Sequence, residues 1–232
     1  MAESVFARRV IAAVAALLTA CVTSQVAPPA ATGRPAEFPE AAYQGLRSNG
    51  VPVYRVDPSR SQVVIVARRG GTLTSLGHDH VIASHDVGGY VAPDVGRADL
   101  YVPLEALVVD ERALRSEIGL DTQPSEADIA ATRRNLQDKV LETGRFPYAT
   151  VAVSRPGGTA QPLQVSLSLH GVTRVVEAPL QLRRADDEVM ATGSFTLDQS
   201  QFGIVPFSIL GGAIAVKDRV EITFQVVATR AR

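Results

Sequence analysis

Leu163-Gln164-Val165-Ser166-Leu167-Ser168-Leu169-His170 is the stretch from which the architecture follows. Apolar and polar residues alternate along it, so as an extended strand it has one oily face and one wet face. Toward the carboxy terminus the same period returns, with Ile222, Phe224 and Val226 alternating with Glu221, Thr223 and Gln225. Working outward, further strands are expected at Val53 to Val56, Gln62 to Arg68, His80 to Ser84, Gly89 to Val91, Ala98 to Pro103, Tyr148 to Ser154, Arg174 to Arg183 and Val189 to Asp198. Turn residues separate many of them: Asp57-Pro58, Gly70-Gly71, Pro156-Gly157-Gly158, Asp186-Asp187 and Gly211-Gly212. Pro93 to Leu120 has no clean strand register.

One segment breaks this rhythm. In Ser125 to Leu141, Ile129, Leu136 and Val140 fall on one helical face, Ser125 with Asp128 resembles a capping box, and Gly144 and Pro147 lie just past the end. Many short antiparallel strands with one inserted helix predict an all-β domain, a barrel or a sandwich. The barrel is preferred because closure removes exposed sheet edges.

Composition agrees with one packed domain. Hydrophobic residues make up 46% of 232, and 23 basic residues nearly balance 24 acidic ones. Such a chain can bury a core, yet it has no long-range field to gather nucleic acid. No Gly-x-Ser-x-Gly elbow, Walker loop or Gly-x-Gly-x-x-Gly fingerprint is present, so the expectation is a binding protein and not an enzyme.

The amino terminus reads as an address. Arg8-Arg9 precede the apolar run Val10 to Leu18, the order of a secretory signal. As a helix, Val10 to Ala20 would rise only ~17 Å, short of the ~30 Å bilayer core. Leu18-Thr19-Ala20-Cys21 resembles the lipobox of bacterial lipoproteins, and Cys21 is the sole cysteine. Residues 1–20 are therefore expected to be cleaved and Cys21 lipidated, the alternative being an ordinary signal with a chance cysteine at its end. Residues 21–50, rich in Ala, Pro, Ser and Thr, are expected to form a semi-extended linker, and 51–232 the domain. Attachment to the membrane would be through acyl chains alone. Val22 stands where inner-membrane retention usually places Asp, and by resemblance to enterobacterial sorting this favours the periplasmic face of the outer membrane.

Several segments in order carry a family resemblance: Val53 to Ser61 (VYRVDPSRS), Gly144 to Ala149 (GRFPYA), Leu169 to Arg174 (LHGVTR), Gln201 to Ile204 (QFGI) and Val216 to Ile222 (VKDRVEI). Together they resemble the YceI-like family over about residues 52 to 229. The resemblance implies an extended, lipocalin-like antiparallel barrel of about eight strands with an elongated apolar cavity. It also implies an amphiphilic ligand, such as an isoprenoid lipid or quinone, and a periplasmic location. A barrel of that size is wide enough for one slender ligand.

Within such a barrel, Val64, Val66, Phe195, Phe224 and Val226 are candidate lining residues, although period two alone does not tell inside from outside. Arg133 and Arg134, with Lys139, are candidates for a head-group contact at the barrel mouth. The competing reading is a solvated helix face. Gly77-His78-Asp79-His80 departs from the family's usual pattern. His78 and His80 would point the same way along a strand, a spacing that suits a shared metal, and His also ligates haem; a rim that hydrogen-bonds to its own backbone is the alternative. His170 is expected to have a hydrogen-bonding role, and Asp186-Asp187-Glu188 to be a solvated turn.

Overall fold

The computed structural model describes residues 33–155 and 164–231. The expected signal peptide, Cys21 and Leu163 lie outside the described residues. Among the described residues thirteen strands form one antiparallel sheet: β1 (Tyr54–Val56), β2 (Gln62–Gly70), β3 (His80–Ser84), β4 (Gly88–Ala92), β5 (Arg97–Pro103), β6 (Val108–Val109), β7 (Tyr148–Ser154), β8 (Gln164–Leu169), β9 (Val172–Val176), β10 (Leu180–Arg184), β11 (Glu188–Asp198), β12 (Ser208–Ile209) and β13 (Ile214–Arg230). Accompanying them among the described residues are the α-helices α1 (Glu40–Ser48), α2 (Arg112–Ile118) and α3 (Glu126–Asn135).

Strand β13 organises the sheet. On one side it pairs with β11 from Arg219 to Thr229; on the other it pairs with β2 from Ala215 to Gln225 and then with β1 from Ala228 to Arg230. From β1 the ladder continues through β4, β5, β7 and β8 to β9, while β2 leads to β3 and β6, and β11 leads to β10. Strands at both ends of this ladder line a single hollow, so the sheet wraps into a barrel. Among the described residues no ladder joins β9 to β10, which leaves a seam there.

Two expectations need correction at this level. The segment read as one strand from Arg174 to Arg183 is two, broken at Glu177-Ala178-Pro179. Pro179 has no N–H to give a ladder, and the chain turns there to begin β10. The second correction concerns residues 40–48, read as part of a flexible linker, which form α1. Tyr43 is buried against Val53 and Ala92, and its ring stacks on Tyr90 at 5.2 Å. Its hydroxyl donates to Asp99 Oδ2 at 2.7 Å, while Phe38 packs edge-on against Tyr101. Aromatic contacts, not helix propensity, pin this segment to the outer face of β4 and β5.

The predicted helix is present, with its Ser125–Asp128 capping box made in both directions, and it continues as a π-helical turn over Leu136–Val140. Ile129 and Leu136 pack on the core, and Val140 and Leu141 are buried in it beside Leu104, Phe202 and Ile204. This segment plugs one end of the barrel. Helix α2 was missed because seven residues carry too little periodicity to stand out.

Candidate functional site

Alternation along the strands builds an apolar cavity of about 320 Å³. Strand β5 contributes Ala98, Leu100 and Val102; β7 contributes Ala149, Val151 and Val153; and β8 contributes Val165, Leu167 and Leu169. Opposite them stand Ala191, Phe195 and Leu197 of β11 and Ile222, Phe224, Val226 and Ala228 of β13. Leu180 and Leu182 of β10 and Val176 of β9 flank the seam. Almost every exposed atom in the hollow is carbon, which suits hydrocarbon and gives water nothing to bond. At Gly193 a Cβ would stand 2.7 Å from Phe224 Cζ and 2.3 Å from the Pro179 carbonyl oxygen, so the missing side chain is what allows the Phe224 ring to lie across β11.

Of the candidate lining residues, Phe195, Phe224 and Val226 face the hollow. Val64 and Val66 do not: they lie outside the barrel, packed with Val81, Leu114, Ile118 and Leu120. The inward residues of β2 are Val63 and Ile65. Because α2 covers this strand from outside, both faces are apolar, and alternation has no wet side from which to read direction. A related effect hid the facing of β5, whose existence was expected at Ala98 to Pro103. Tyr101 interrupts the polar face of Arg97 and Asp99 because Phe38 covers it, so the inward series Ala98, Leu100 and Val102 was legible only as a run.

Arg133 and Arg134 are exposed on α3 and do not line the cavity, and Lys139 is likewise exposed. The charged residues that border the hollow are Arg97 and Arg155, at the opposite end from α3. Arg97 turns outward to Asp99, 2.9 Å away, and lies over the Tyr43 ring. Arg155 continues the inward series of Val151 and Val153.

The histidines belong to a different place. His78 and His80 have ring centroids 6.3 Å apart, but neither lines the cavity. His80 Nδ1 lies 2.6 Å from Asp110 Oδ2. Asp110 also accepts from the Val81 N–H at 3.1 Å and from Arg115 Nη1 at 2.5 Å. Burial raises the Asp110 pKa, but the hydrogen bond and charge of His80, the Val81 amide and Arg115 outweigh it and hold the carboxyl below its ordinary range. An ionised carboxylate only accepts, so His80 Nδ1 is the donor. Arg115, 1% exposed, also donates to the carbonyls of Asp79 at 2.7 Å and Thr122 at 2.5 Å. Asp79 in turn accepts from the Arg69 N–H at 2.8 Å.

Thus Gly77-His78-Asp79-His80 is tied into a network that fastens β3 to α2. Among the described residues no group of three or more His, Cys, Asp or Glu is placed to hold a metal ion. His170 has a left-handed backbone, packs on Phe146 at 4.5 Å and sits 3.3 Å from Glu142. Asp110 and Arg115 were not singled out from the sequence, because only the fold brings residue 110 to the side of residue 80.

Residues 54–228 match the YceI-like domain. The chain belongs to the YceI-like family. A polyisoprenoid-binding domain from Saccharophagus degradans, implicated in plant cell wall breakdown, shares the fold with a TM-score of 0.55 at 14% identity, over 77% of this chain and 98% of that one. BcnA from Burkholderia cenocepacia aligns with a TM-score of 0.49 at 16% identity, over 75% and 99% of the two chains. In sequence, 124 residues are 31% identical to an ATP-dependent zinc metalloprotease FtsH of Opitutus terrae, covering 53% of this chain and 19% of that protein. The chain therefore spans about a fifth of that relative, and it contains neither a Walker loop nor a His-Glu-x-x-His motif.

Proposed function

We propose that this YceI-like protein binds and carries an amphiphile whose hydrocarbon tail occupies the barrel, an isoprenoid lipid or quinone being the ligand class. The observation that carries the reading is the hollow itself, lined by Leu, Val, Ile and Phe from strands all round the sheet. Each methylene transferred from water into it contributes ~0.8 kcal/mol, so a prenyl tail can be held firmly without any reacting group. Solved relatives of the same fold include a domain described as polyisoprenoid-binding. The wall is almost entirely hydrocarbon, with Arg97 and Arg155 at one end, an arrangement suited to binding.

The proposal extends to location. A cleaved signal, acylated Cys21 and a tether would place the domain at the periplasmic face of the envelope, more naturally the outer membrane, where an insoluble lipid needs a carrier. The test is to purify the protein from membranes, extract it with organic solvent and identify what leaves with it by mass spectrometry. A prenyl lipid near one per chain is the expected result, reduced several-fold by Ala191→Phe, which fills the hollow. Extraction of no lipid, or of equal amounts from both forms, would rule the carrier reading out.

A further inference from the structure

Two segments meet beyond the plugged end of the barrel: Gly71 to Gly77, linking β2 to β3, and Gly203 to Ala213, which includes β12 and turns into β13. They are locked together. The Leu73 N–H donates to the Ala213 carbonyl at 2.8 Å, and a Cβ at Gly71 (φ +86°) would stand 2.4 Å from that same oxygen. Val216 N–H donates back to the Phe207 carbonyl at 2.9 Å. These loops are built, not frayed.

Their chemistry is the reverse of what solvent-facing loops normally have. Residues 70–77 and 203–216 contain no Asp, Glu, Lys or Arg, in a protein whose residues are 20% charged. Five of the nine strongly exposed large hydrophobic side chains among the described residues sit here: Leu73, Leu76, Val205, Ile209 and Leu210. Leu76 is 66% exposed and Leu210 69%, the latter at a hairpin tip with a left-handed backbone. At the base of these loops stand two lysines that no carboxylate pairs among the described residues. Lys139 reaches over the Phe207 ring at 5.7 Å, and Lys217 lies beside Gly70. An uncharged apolar tip with cations one layer behind it matches the acyl boundary and the phosphate layer of an anionic bilayer in that order.

We infer that this double-loop tip inserts into the interfacial region of an anionic phospholipid bilayer. It gives the domain a contact with the membrane separate from any acyl anchor, and it does not depend on what the cavity holds. The chain has no tryptophan, so single reporters are clean. Leu210→Trp and Leu76→Trp are placed in the full chain, with Val95→Trp as control. Val95 is exposed on the β4–β5 turn, which lies at the other end of β13, up to ~50 Å away.

With phosphatidylcholine vesicles containing phosphatidylglycerol, both tip reporters should shift to the blue and be quenched by brominated lipid, more than with phosphatidylcholine alone, while Val95→Trp stays unchanged. Adding Leu76→Asp to the Leu210→Trp chain should lower the inserted-to-free ratio, read from the quenched fraction, at least about tenfold, the factor carried by one leucine side chain. Tip reporters that stay unshifted and unquenched, or a control quenched as strongly as the tip, would overturn the inference. So would a blue shift that grows with protein concentration in the absence of vesicles, which would make the tip a contact between copies. Lipid extraction from the same variants reads the cavity independently, so the two proposals fail separately.

Discussion

Asp110, which sequence reading passed over, accepts from His80, the Val81 amide and Arg115 in the interior. Its side chain is wholly buried, its backbone is left-handed at φ 56°, and it compensates the charge of Arg115. Removing it with Asp110→Ala leaves a guanidinium uncompensated in the interior, and a loss of about 3–5 kcal/mol in urea unfolding is expected. Because its folded pKa lies below the unfolded value of ~3.9, its contribution is fully present above that pH and is lost as pH falls through the folded value. Acid unfolding of the wild type should therefore steepen below about pH 4, and Asp110→Asn should flatten that limb; an unchanged acid limb would show the group to be uncoupled from folding. Histidines 78 and 80 were visible in the sequence as a pair, but the carboxylate that holds His80 lies thirty positions away at Asp110, and spacing along a chain says nothing about contacts of that range.

Local signals in the elements were reliable where one face was wet. The helix at 126–135 was readable because Ser125 and Asp128 satisfy each other's amides, a purely local event, and Ser125→Ala should cost about 1 kcal/mol in thermal or urea unfolding. Helix α1 shows the opposite case. Its sequence is ordinary, and it exists because Tyr43 finds Tyr90, Val53 and Ala92. Tyr43→Ala should cost about 3 kcal/mol or more and expose backbone amides of 40–48 to hydrogen exchange before the barrel opens. A variant in which those amides stay protected would mean that the helix holds by local forces. Strand β2 fell between these cases: its existence was plain from Gln62 to Arg68, but its facing was not, since α2 supplies an apolar environment on the outside as well.

Across the whole molecule, β13 is paired on both sides while no ladder among the described residues joins β9 to β10, and local opening should follow that pattern. Amides between Val220 and Gln225 lie in a strand paired on both sides, whereas among the described residues β9 and β10 each have a single neighbour. Exchange should be slowest in the first region and fastest among the strands at Val172–Val176 and Leu180–Arg184, which also border the hollow. Equal protection in the two regions would argue for a sealed wall. Period two in the sequence sufficed for most strands and for the all-β class, because alternation is a property of neighbouring residues on one strand; the barrel was preferred to a sandwich for its lack of edges and was implied by the family resemblance. Which alternate face encloses ligand, which histidines are already spoken for and where uncharged loops converge are properties of pairs far apart in the chain. They come into being only when the sheet curls and brings residue 80 to 110, 43 to 90 and 73 to 213.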